Sequence, residues 1–332
     1  MEKLSVGVIG VGHLGKLHTK MFKQIENCNL VGVYDANFAQ AKSVAEEFST
    51  TAFASLDELL LKTKAVSIAA TTSAHHQLAK KCFGENVHVF LEKPITATIE
   101  EAEELVNISK NKKLKLQVGH IERFNPGLIS LSNYISEPMF IQSDRLSQFN
   151  PRGTDVAVVL DLMIHDIDII LSLIKSDVEQ IDANGVAVVS DHIDIANARI
   201  QFENGAVANV TASRISQKKM RKMRIFQKDH YISLDFVTGV SEVFRLQSIE
   251  EPAQVGAISF GEIGIGDKKK RLIYEQPEHK EINALNYELQ LFVNSVIEDK
   301  IIVVSGEDGL RALKVADIII NKIEQSIKSI KN

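Results

Sequence analysis

The fold of this chain is decided by the stretch Leu4-Ser5-Val6-Gly7-Val8-Ile9-Gly10-Val11-Gly12-His13-Leu14-Gly15. Its apolar beginning predicts a buried strand, and a helical pattern opens directly at its glycines. The glycines have the spacing G-x-G-x-x-G. The first makes a tight turn, and the second lets the backbone approach a pyrophosphate at the helix N-terminus. The stretch therefore predicts the first βα unit of a dinucleotide-binding domain.

The same alternation of apolar runs and helical patterns continues to about residue 120. Strands are predicted at Val6–Ile9, Leu30–Asp35, Thr51–Phe53, Val66–Ala70, Val87–Leu91 and Leu114–Val118, with helices at Leu14–Gln24, Phe38–Phe48 and Ile99–Lys110. This alternation is typical of βαβ units and a parallel sheet. We therefore expect an α/β fold whose N-terminal Rossmann dinucleotide-binding domain covers residues 1–121.

The pattern changes near Gly119. Two apolar runs, Ile195–Phe202 and Ala206–Ser213, flank Glu203-Asn204-Gly205, which is a hairpin signal. Further strands are predicted at Met223–Phe226, Tyr231–Phe236 and Leu272–Glu275, with helices at Val156–Ile174, Ile282–Ile297 and Glu307–Ile327. Residues 122–332 therefore predict an α+β domain with a mostly antiparallel open sheet, used for substrate binding and oligomerisation.

Composition excludes several classes of protein. A net charge of -5 gives no reason to expect nucleic-acid binding. Two cysteines, Cys28 and Cys82, are too few for a disulfide framework or a cysteine metal cluster, and no metal site is predicted. No signal-peptide pattern opens the chain, and no apolar run approaches the ~18–20 residues that span a bilayer. These observations predict a cytoplasmic protein.

The predicted cofactor site lies where the strands of the first domain end. Asp35 ends the second strand, twenty residues after Gly15, where a carboxylate accepts hydrogen bonds from ribose hydroxyls. It also repels a 2′-phosphate, and Ala36-Asn37 supply no arginine, so NAD is favoured over NADP. The alternative is a glycine-rich turn with an incidental surface aspartate. His75 follows the fourth strand and either lines the crevice or is a solvated loop histidine. The full predicted set is Gly10, Gly12, His13, Leu14, Gly15, Asp35, Thr71, His75, Glu92 and Lys93.

Two further signals point to hydride chemistry. Glu92-Lys93-Pro94 follows a buried strand, which directs the Lys93 ammonium into the cofactor crevice. Asp161 and His165 have i, i+4 spacing and share a face of a predicted apolar helix. Oxidation of an alcohol needs a base for the hydroxyl proton and a cation for the developing alkoxide, which His165 and Lys93 can supply. Alternatively, Asp161 is an acid at the N-terminus of the helix and His165 is a hydrogen-bonded core histidine. Asp166 and Asp168 are interpreted as supporting or solvent-facing groups.

Together, these motifs resemble the glucose–fructose oxidoreductase/inositol dehydrogenase (Gfo/Idh/MocA) family over essentially the whole chain. Gly306-Glu307-Asp308-Gly309 is similar to a C-terminal signature of that family. The resemblance implies that Lys93 positions the substrate hydroxyl, that His165 is the general acid/base, and that Asp161 contacts or orients the substrate. It also implies a cis bond before Pro94 and a homodimer or homotetramer.

Two segments narrow the expected substrate. Residues 120–126 and 214–233 resemble those of bacterial nucleotide-sugar 3-dehydrogenases, which implies oxidation at C3 of a UDP-N-acetyl amino sugar to a keto sugar. Arg123 and Asn125 are then substrate-binding residues or stabilise the interdomain turn. A basic cluster attracts a diphosphate or protects a strand edge; it consists of Lys218, Lys219, Arg221, Lys222 and Arg224. Three alternatives remain open: a free-sugar or inositol dehydrogenase, an NAD-dependent glycosidase, and a non-catalytic NAD-binding regulator.

Overall fold

The structure, a computed structural model, describes residues 3–150, 156–251, 258–278 and 281–331. The chain divides into two compact units. The first comprises Met1–Phe124 and Ile282–Lys314, and the second comprises Asn125–Glu281 and Val315–Asn332. In the described parts of the chain, no helix is long and apolar enough to cross a membrane.

The first unit is built on a six-stranded parallel sheet. Its strands are β1 (Leu4–Ile9), β2 (Cys28–Tyr34), β3 (Thr51–Phe53), β4 (Ala65–Ile68), β5 (His88–Glu92) and β6 (Leu116–Gly119). They are ordered β3-β2-β1-β4-β5-β6 and pair in parallel throughout. This is the strand order of the doubly wound dinucleotide fold, so the Rossmann prediction is confirmed.

Helices follow the strands of this sheet, as the sequence pattern predicts. They are α1 (His13–Gln24), α2 (Phe38–Glu47), α3 (Leu56–Leu60), α4 (Thr72–Gly84) and α5 (Ile99–Lys112). The central strands are buried over most of their length; Val89, Phe90 and Leu91 of β5 have no exposed surface. Strands of this kind read as continuous apolar runs because helices cover both faces of the sheet.

The second unit is built on a nine-stranded sheet. Its strands are β7 (Phe140–Leu146), β8 (Val178–Val186), β9 (Ile195–Phe202), β10 (Val207–Ser213), β11 (Met220–Gln227), β12 (His230–Asp235), β13 (Val240–Ser248), β14 (Ile258–Ile263) and β15 (Lys270–Glu275). They are ordered β14-β15-β13-β12-β11-β7-β10-β9-β8. β7 runs parallel to β10, and the other neighbours are antiparallel. The predicted mostly antiparallel open sheet is confirmed.

The described residues contain four further α-helices: α6 (Pro126–Ser130), α7 (Ile164–Leu173), α8 (Ala284–Ile297) and α9 (Gly306–Lys331). α8 belongs to the first unit, so the second unit is not the contiguous stretch 122–332 that was expected. Leu289, Phe292 and Val293 of α8 are buried in one apolar cluster with residues of β1 and α1. An amphipathic helix packs wherever its apolar face is covered, which its position in the sequence does not reveal.

The segment predicted as a helix over Val156–Ile174 is not a regular α-helix throughout. Val159–Met163 forms a π-helical turn, and regular α-helix begins only at Ile164. Such turns are rare and occur frequently at functional sites. Their wider winding alters the side-chain spacing on which the i, i+4 argument for Asp161 and His165 relies.

Candidate active site

The glycine loop has the shape that a dinucleotide requires. Gly10 has φ +78°, and a Cβ there would lie 2.7 Å from the Ala70 backbone. A Cβ on Gly15 would lie 1.8 Å from the Gly10 carbonyl oxygen, so this glycine allows α1 to pack closely on the turn. Around Gly12, by contrast, nothing lies within 4 Å of the Cβ position. The loop is thus tight on its inner side and open where a pyrophosphate would approach.

Asp35 holds this loop in place. Its Oδ2 accepts a hydrogen bond of 2.8 Å from the Val11 amide, and its Oδ1 accepts one of 2.9 Å from the Asn37 amide. An ionised carboxylate has about four acceptor positions, so both oxygens retain capacity for ribose hydroxyls. The residues therefore fit NAD, and Asp35 has a structural role besides the predicted one.

The remaining cofactor candidates of the first unit follow neighbouring strand ends. His13 and Leu14 form the exposed first turn of α1, and Thr71 is the exposed N-cap residue of α4. Glu92 ends β5, and Lys93 follows it, half-buried. The Lys93–Pro94 bond is cis. Because β1, β4 and β5 are adjacent and parallel, these residues lie along one edge of the sheet, where ligands bind in this fold.

His75 is not a solvated loop residue, so that alternative is wrong. It lies in α4 with 1% of its surface exposed. Its Nδ1 is 3.0 Å from the Pro94 carbonyl oxygen, and its Nε2 is 3.1 Å from that of Ala70. Burial lowers the pKa of His75, although both carbonyl contacts oppose this change. The ring thus links the loop after β4 to the segment after Lys93.

Asp161 and His165 lie in the second unit, Asp161 in the π-helical turn and His165 in the first turn of α7. Both are half-buried, whereas Val159, Met163 and Ile164 have no exposed surface. Asp161 and His165 are therefore partly accessible, as are the neighbouring Leu160 and Leu162.

Asp166 and Asp168 are both buried with 1% exposure, so neither faces solvent. Asp166 accepts hydrogen bonds from Arg145 Nε at 2.6 Å and Nη2 at 3.2 Å, and from Ser143 Oγ at 2.8 Å. This bidentate pair joins α7 to β7 beneath the accessible face of the helix. Arg145 and Ser143 had no recognisable signal in the sequence.

A second buried pair supports the segment that leads into the π-helical turn. Arg214 donates a hydrogen bond of 2.6 Å from Nη2 to the Val156 carbonyl, and its Nε lies 3.7 Å from Asp194 Oδ1. Asp194 also accepts from the amides of Val188, Val189 and Ser190. Arg214 belongs to a segment that resembles nucleotide-sugar enzymes, but these contacts support the protein backbone.

Arg123 and Asn125 also make contacts within the protein. Arg123 Nη2 lies 3.4 Å from Asp308 Oδ1 in the first turn of α9. Asn125 caps α6 by accepting from the Gly127 amide, and its amide donates to the Phe236 carbonyl at 3.1 Å. These contacts favour the stabilising alternative over direct substrate binding.

The signature at Gly306–Gly309 begins the last helix instead of preceding it. A Cβ on Gly306 would lie 2.6 Å from Leu116 Cδ2, and one on Gly309 would lie 2.7 Å from Val118 Cγ2. The two glycines therefore let α9 pack directly against β6. Ser305 and Asp308 exchange hydrogen bonds in the manner of a capping box.

The basic cluster does not protect a sheet edge, because β11 lies between β12 and β7. Lys222 Nζ lies 3.6 Å from Asp235 Oδ2, and Arg224 Nη2 lies 3.6 Å from Asp144 Oδ2. Two of the five cluster residues are thus paired with acids of neighbouring strands. Among the residues that the structure describes, no group of three or more His, Cys, Asp or Glu side chains could hold a metal ion.

Known proteins share both units of this chain. The family described as "Oxidoreductase family, NAD-binding Rossmann fold" matches residues 4–120, and the "GFO/IDH/MocA C-terminal domain" matches residues 135–232. The UDP-N-acetylglucosamine 3-dehydrogenase of Acidithiobacillus ferrooxidans is 35% identical, with 95% of this chain and 96% of that protein covered. A solved structure of an enzyme of that name and organism matches with a TM-score of 0.87 and 33% identity, covering 98% of this chain and 99% of that one.

More distant relatives act on other polyols and sugars. The myo-inositol 2-dehydrogenase of Thermotoga maritima is 24% identical over 93% of both chains. The glucose-6-phosphate 3-dehydrogenase of Bacillus subtilis is 26% identical over 73% of this chain and 76% of its own. The glycine loop, the parallel sheet and the two family matches agree. The chain therefore belongs to the Gfo/Idh/MocA family of NAD-binding oxidoreductases.

Proposed function

We propose that this protein oxidises the C3 hydroxyl of a UDP-N-acetyl amino sugar, with UDP-N-acetylglucosamine as the first candidate, to the 3-keto sugar. The observation that carries the proposal is the 35% identity over nearly the full length of both chains to a UDP-N-acetylglucosamine 3-dehydrogenase. The cytoplasm is the proposed location, since sparse cysteine use fits a reducing compartment.

Bound NAD would supply the hydride acceptor, and the rest of the chemistry falls to side chains of this chain. Lys93 donates a hydrogen bond to the reacting hydroxyl oxygen and stabilises the negative charge that develops there. His165 takes the hydroxyl proton as general base. Asp161 orients the sugar or the imidazole. The paired acids and bases at Asp166–Arg145 and Asp194–Arg214 keep the helix that carries Asp161 and His165 in place.

The assay that tests this proposal follows the absorbance of reduced nicotinamide with purified protein and NAD. UDP-N-acetylglucosamine and its uronic acid are compared with N-acetylglucosamine, myo-inositol and glucose 6-phosphate. We expect turnover of the UDP-sugars with kcat/KM at least tenfold above that of the free compounds. Turnover of myo-inositol without turnover of UDP-sugars would contradict the proposal and establish the polyol dehydrogenase alternative.

A homo-oligomer is the proposed assembly, and the sheet of the second unit supports it. Six aromatic side chains on six strands form a continuous row with neighbouring centroids 4.9 to 6.3 Å apart; they are Phe140, Phe226, Tyr231, Phe244, Phe260 and Tyr274. The alternating neighbours Ile141, Ile225 and Ile232 are fully buried on the opposite face. Phe226 is 39% and Phe260 is 61% exposed. A second copy of the chain would cover this apolar face.

A further inference from the structure

Three side chains of the first unit form a buried polar chain behind Lys93. His18 of α1 has no exposed surface, nor does Ser67 of β4, and Glu92 of β5 is 9% exposed. His18 Nδ1 lies 2.7 Å from Ser67 Oγ, and His18 Nε2 lies 3.0 Å from Glu92 Oε1. Polar groups are costly to bury, so this arrangement of three needs a reason beyond packing.

The hydrogen-bonding capacities of the three groups match. An ionised carboxylate only accepts, and His18 Nε2 lies at ion-pair distance from its Oε1. The Ser67 hydroxyl either donates to Nδ1 or accepts from it, which keeps the ring in the same position whether or not it is charged. The edge of the ring packs against Phe90, with centroids 5.5 Å apart. His18 is therefore held on both sides, by Ser67 at Nδ1 and by the Glu92 carboxylate near Nε2.

Glu92 transmits this arrangement to Lys93. Its Oε2 accepts a hydrogen bond of 3.2 Å from the Lys93 amide, next to the lysine that the proposed chemistry uses. Gly119 of β6 leaves room for the carboxylate, since a Cβ there would lie 2.9 Å from Glu92 Oε1. Both oxygens of Glu92 are thus held, one by His18 and one by the backbone at Lys93.

The charges around Glu92 favour its ionised form. Burial is the strongest influence and acts to raise the pKa of Glu92, but the hydrogen bond and charge of His18 and the charge of Lys93 hold it below the usual value. The titratable groups that face Glu92 are His18 from α1, His75 from α4 and Lys93 next to it in the chain. Ser67 and Gly119 bring no charge from the adjacent strands.

We propose that Ser67, His18 and Glu92 are positioning residues for Lys93: they keep a fixed carboxylate behind the lysine, which orients its backbone and stabilises its ammonium form. The role of Lys93 in the reaction rests on the proposed function, whereas the electrostatic coupling does not. By the same coupling through which Lys93 stabilises the Glu92 carboxylate, the carboxylate stabilises the ammonium.

The test measures the ionisation of Lys93 without substrate. Lys93 is labelled with acetic anhydride as a function of pH, and the labelled peptide is quantified by mass spectrometry against exposed Lys20 as an internal reference. In Glu92→Gln, we expect the pH midpoint of Lys93 labelling to fall by about one unit or more. His18→Leu is expected to shift it in the same direction, and His18→Gln, which retains a donor, is expected to shift it less.

Thr63→Val is the matched control. Thr63 is a buried residue of the same unit whose hydroxyl bonds to the Leu59 carbonyl, at 3.1 Å, without contact to Glu92. In Thr63→Val, the pH midpoint of Lys93 labelling should equal that of the parent protein. An unchanged midpoint in folded Glu92→Gln would overturn the proposal, even if thermal stability falls, because a purely structural role predicts that result.

In turnover assays, Glu92→Gln should also move the high-pH limb of the kcat profile to lower pH. Absence of any sugar turnover would refute the proposed function while the labelling result still decides the coupling.

Discussion

Lys93 is the residue at which the proposed chemistry is tested most directly. Replacement of Lys93 with methionine keeps an unbranched, slightly shorter side chain and removes its charge and its donors. We expect kcat to fall by about 10²–10³-fold, the cost of removing one donor that stabilises a developing oxyanion. NAD affinity, measured by quenching of protein fluorescence or by calorimetry, should change little, since the glycine loop and Asp35 are intact.

A fall in kcat without a change in NAD affinity would assign Lys93 to the chemical step and not to cofactor binding. Lys93→Arg is the conservative comparison, because it keeps the charge and alters the geometry. Parent-like turnover in Lys93→Met would remove Lys93 from the reaction and leave it a cofactor contact at most.

At the level of elements, a buried pair, Arg214 and Asp194, contacts the segment that leads into the π-helical turn of Asp161. Burial is the strongest influence on Asp194 and acts to raise its pKa, but the hydrogen bonds from residues 188–190 lower it to about 2. A depressed pKa adds stability that is present above the unfolded value of 3.8 and is lost as the pH falls toward 2. The Asp194 carboxylate, through these hydrogen bonds, should therefore stabilise the second unit at neutral pH, and this contribution is lost in acid.

Asp194→Asn tests this dependence. We expect the variant to lose on the order of 1–2 kcal/mol of unfolding free energy at pH 7 and to show a shallower loss between about pH 4 and pH 2. Urea unfolding at a series of pH values measures both quantities. The exposed pair Lys81–Asp57 offers a control, since Asp57→Asn should leave the slope close to that of the parent. Equal slopes for Asp194→Asn and the parent would show that this carboxylate is not coupled to folding.

The sequence predicted some elements far better than others. Apolar runs bounded by turns identified every strand of the first unit, because burial on both faces leaves an unmistakable pattern. The hairpin at Glu203-Asn204-Gly205 was predicted from another local signal, its turn residues. β7, β8, β13 and β14 were not predicted, since exposed and half-exposed strands of a wide sheet carry polar residues. No local pattern predicts the π-helical turn, and Arg214, which contacts the Val156 carbonyl just before it, lies far away in sequence.

The candidate site residues also differ in how far the local sequence predicts them. Gly10, Gly15 and Asp35 follow from local geometry and were predictable. His18 was not, because a histidine within a helix becomes informative only when its partners Ser67 and Glu92 are known. Asn125 and Arg123 were ambiguous in sequence, because their partners Phe236 and Asp308 lie far away in the chain.

For the whole molecule, the aromatic row on the second unit predicts self-association. Phe226→Glu places a charge in the middle of this row, between Phe140 and Tyr231. We expect the parent to be a dimer or tetramer by light scattering at micromolar concentration and the variant to shift toward monomer. Val188→Glu is the control, because Val188 is also exposed but lies outside the row. A monomeric parent would contradict the proposed assembly.

The placement of α8 has a consequence for how the protein is made. The sheet of the first unit is complete once residue 119 has been synthesised, but Leu289, Phe292 and Val293 close its apolar cluster only after a further ~170 residues. At roughly 5–20 residues per second, the nascent chain therefore carries an uncovered patch beside Phe22 for about 8–35 s. On the ribosome, this patch is a natural contact for a chaperone. A fragment that ends at Phe124 should aggregate unless α8 is supplied as well.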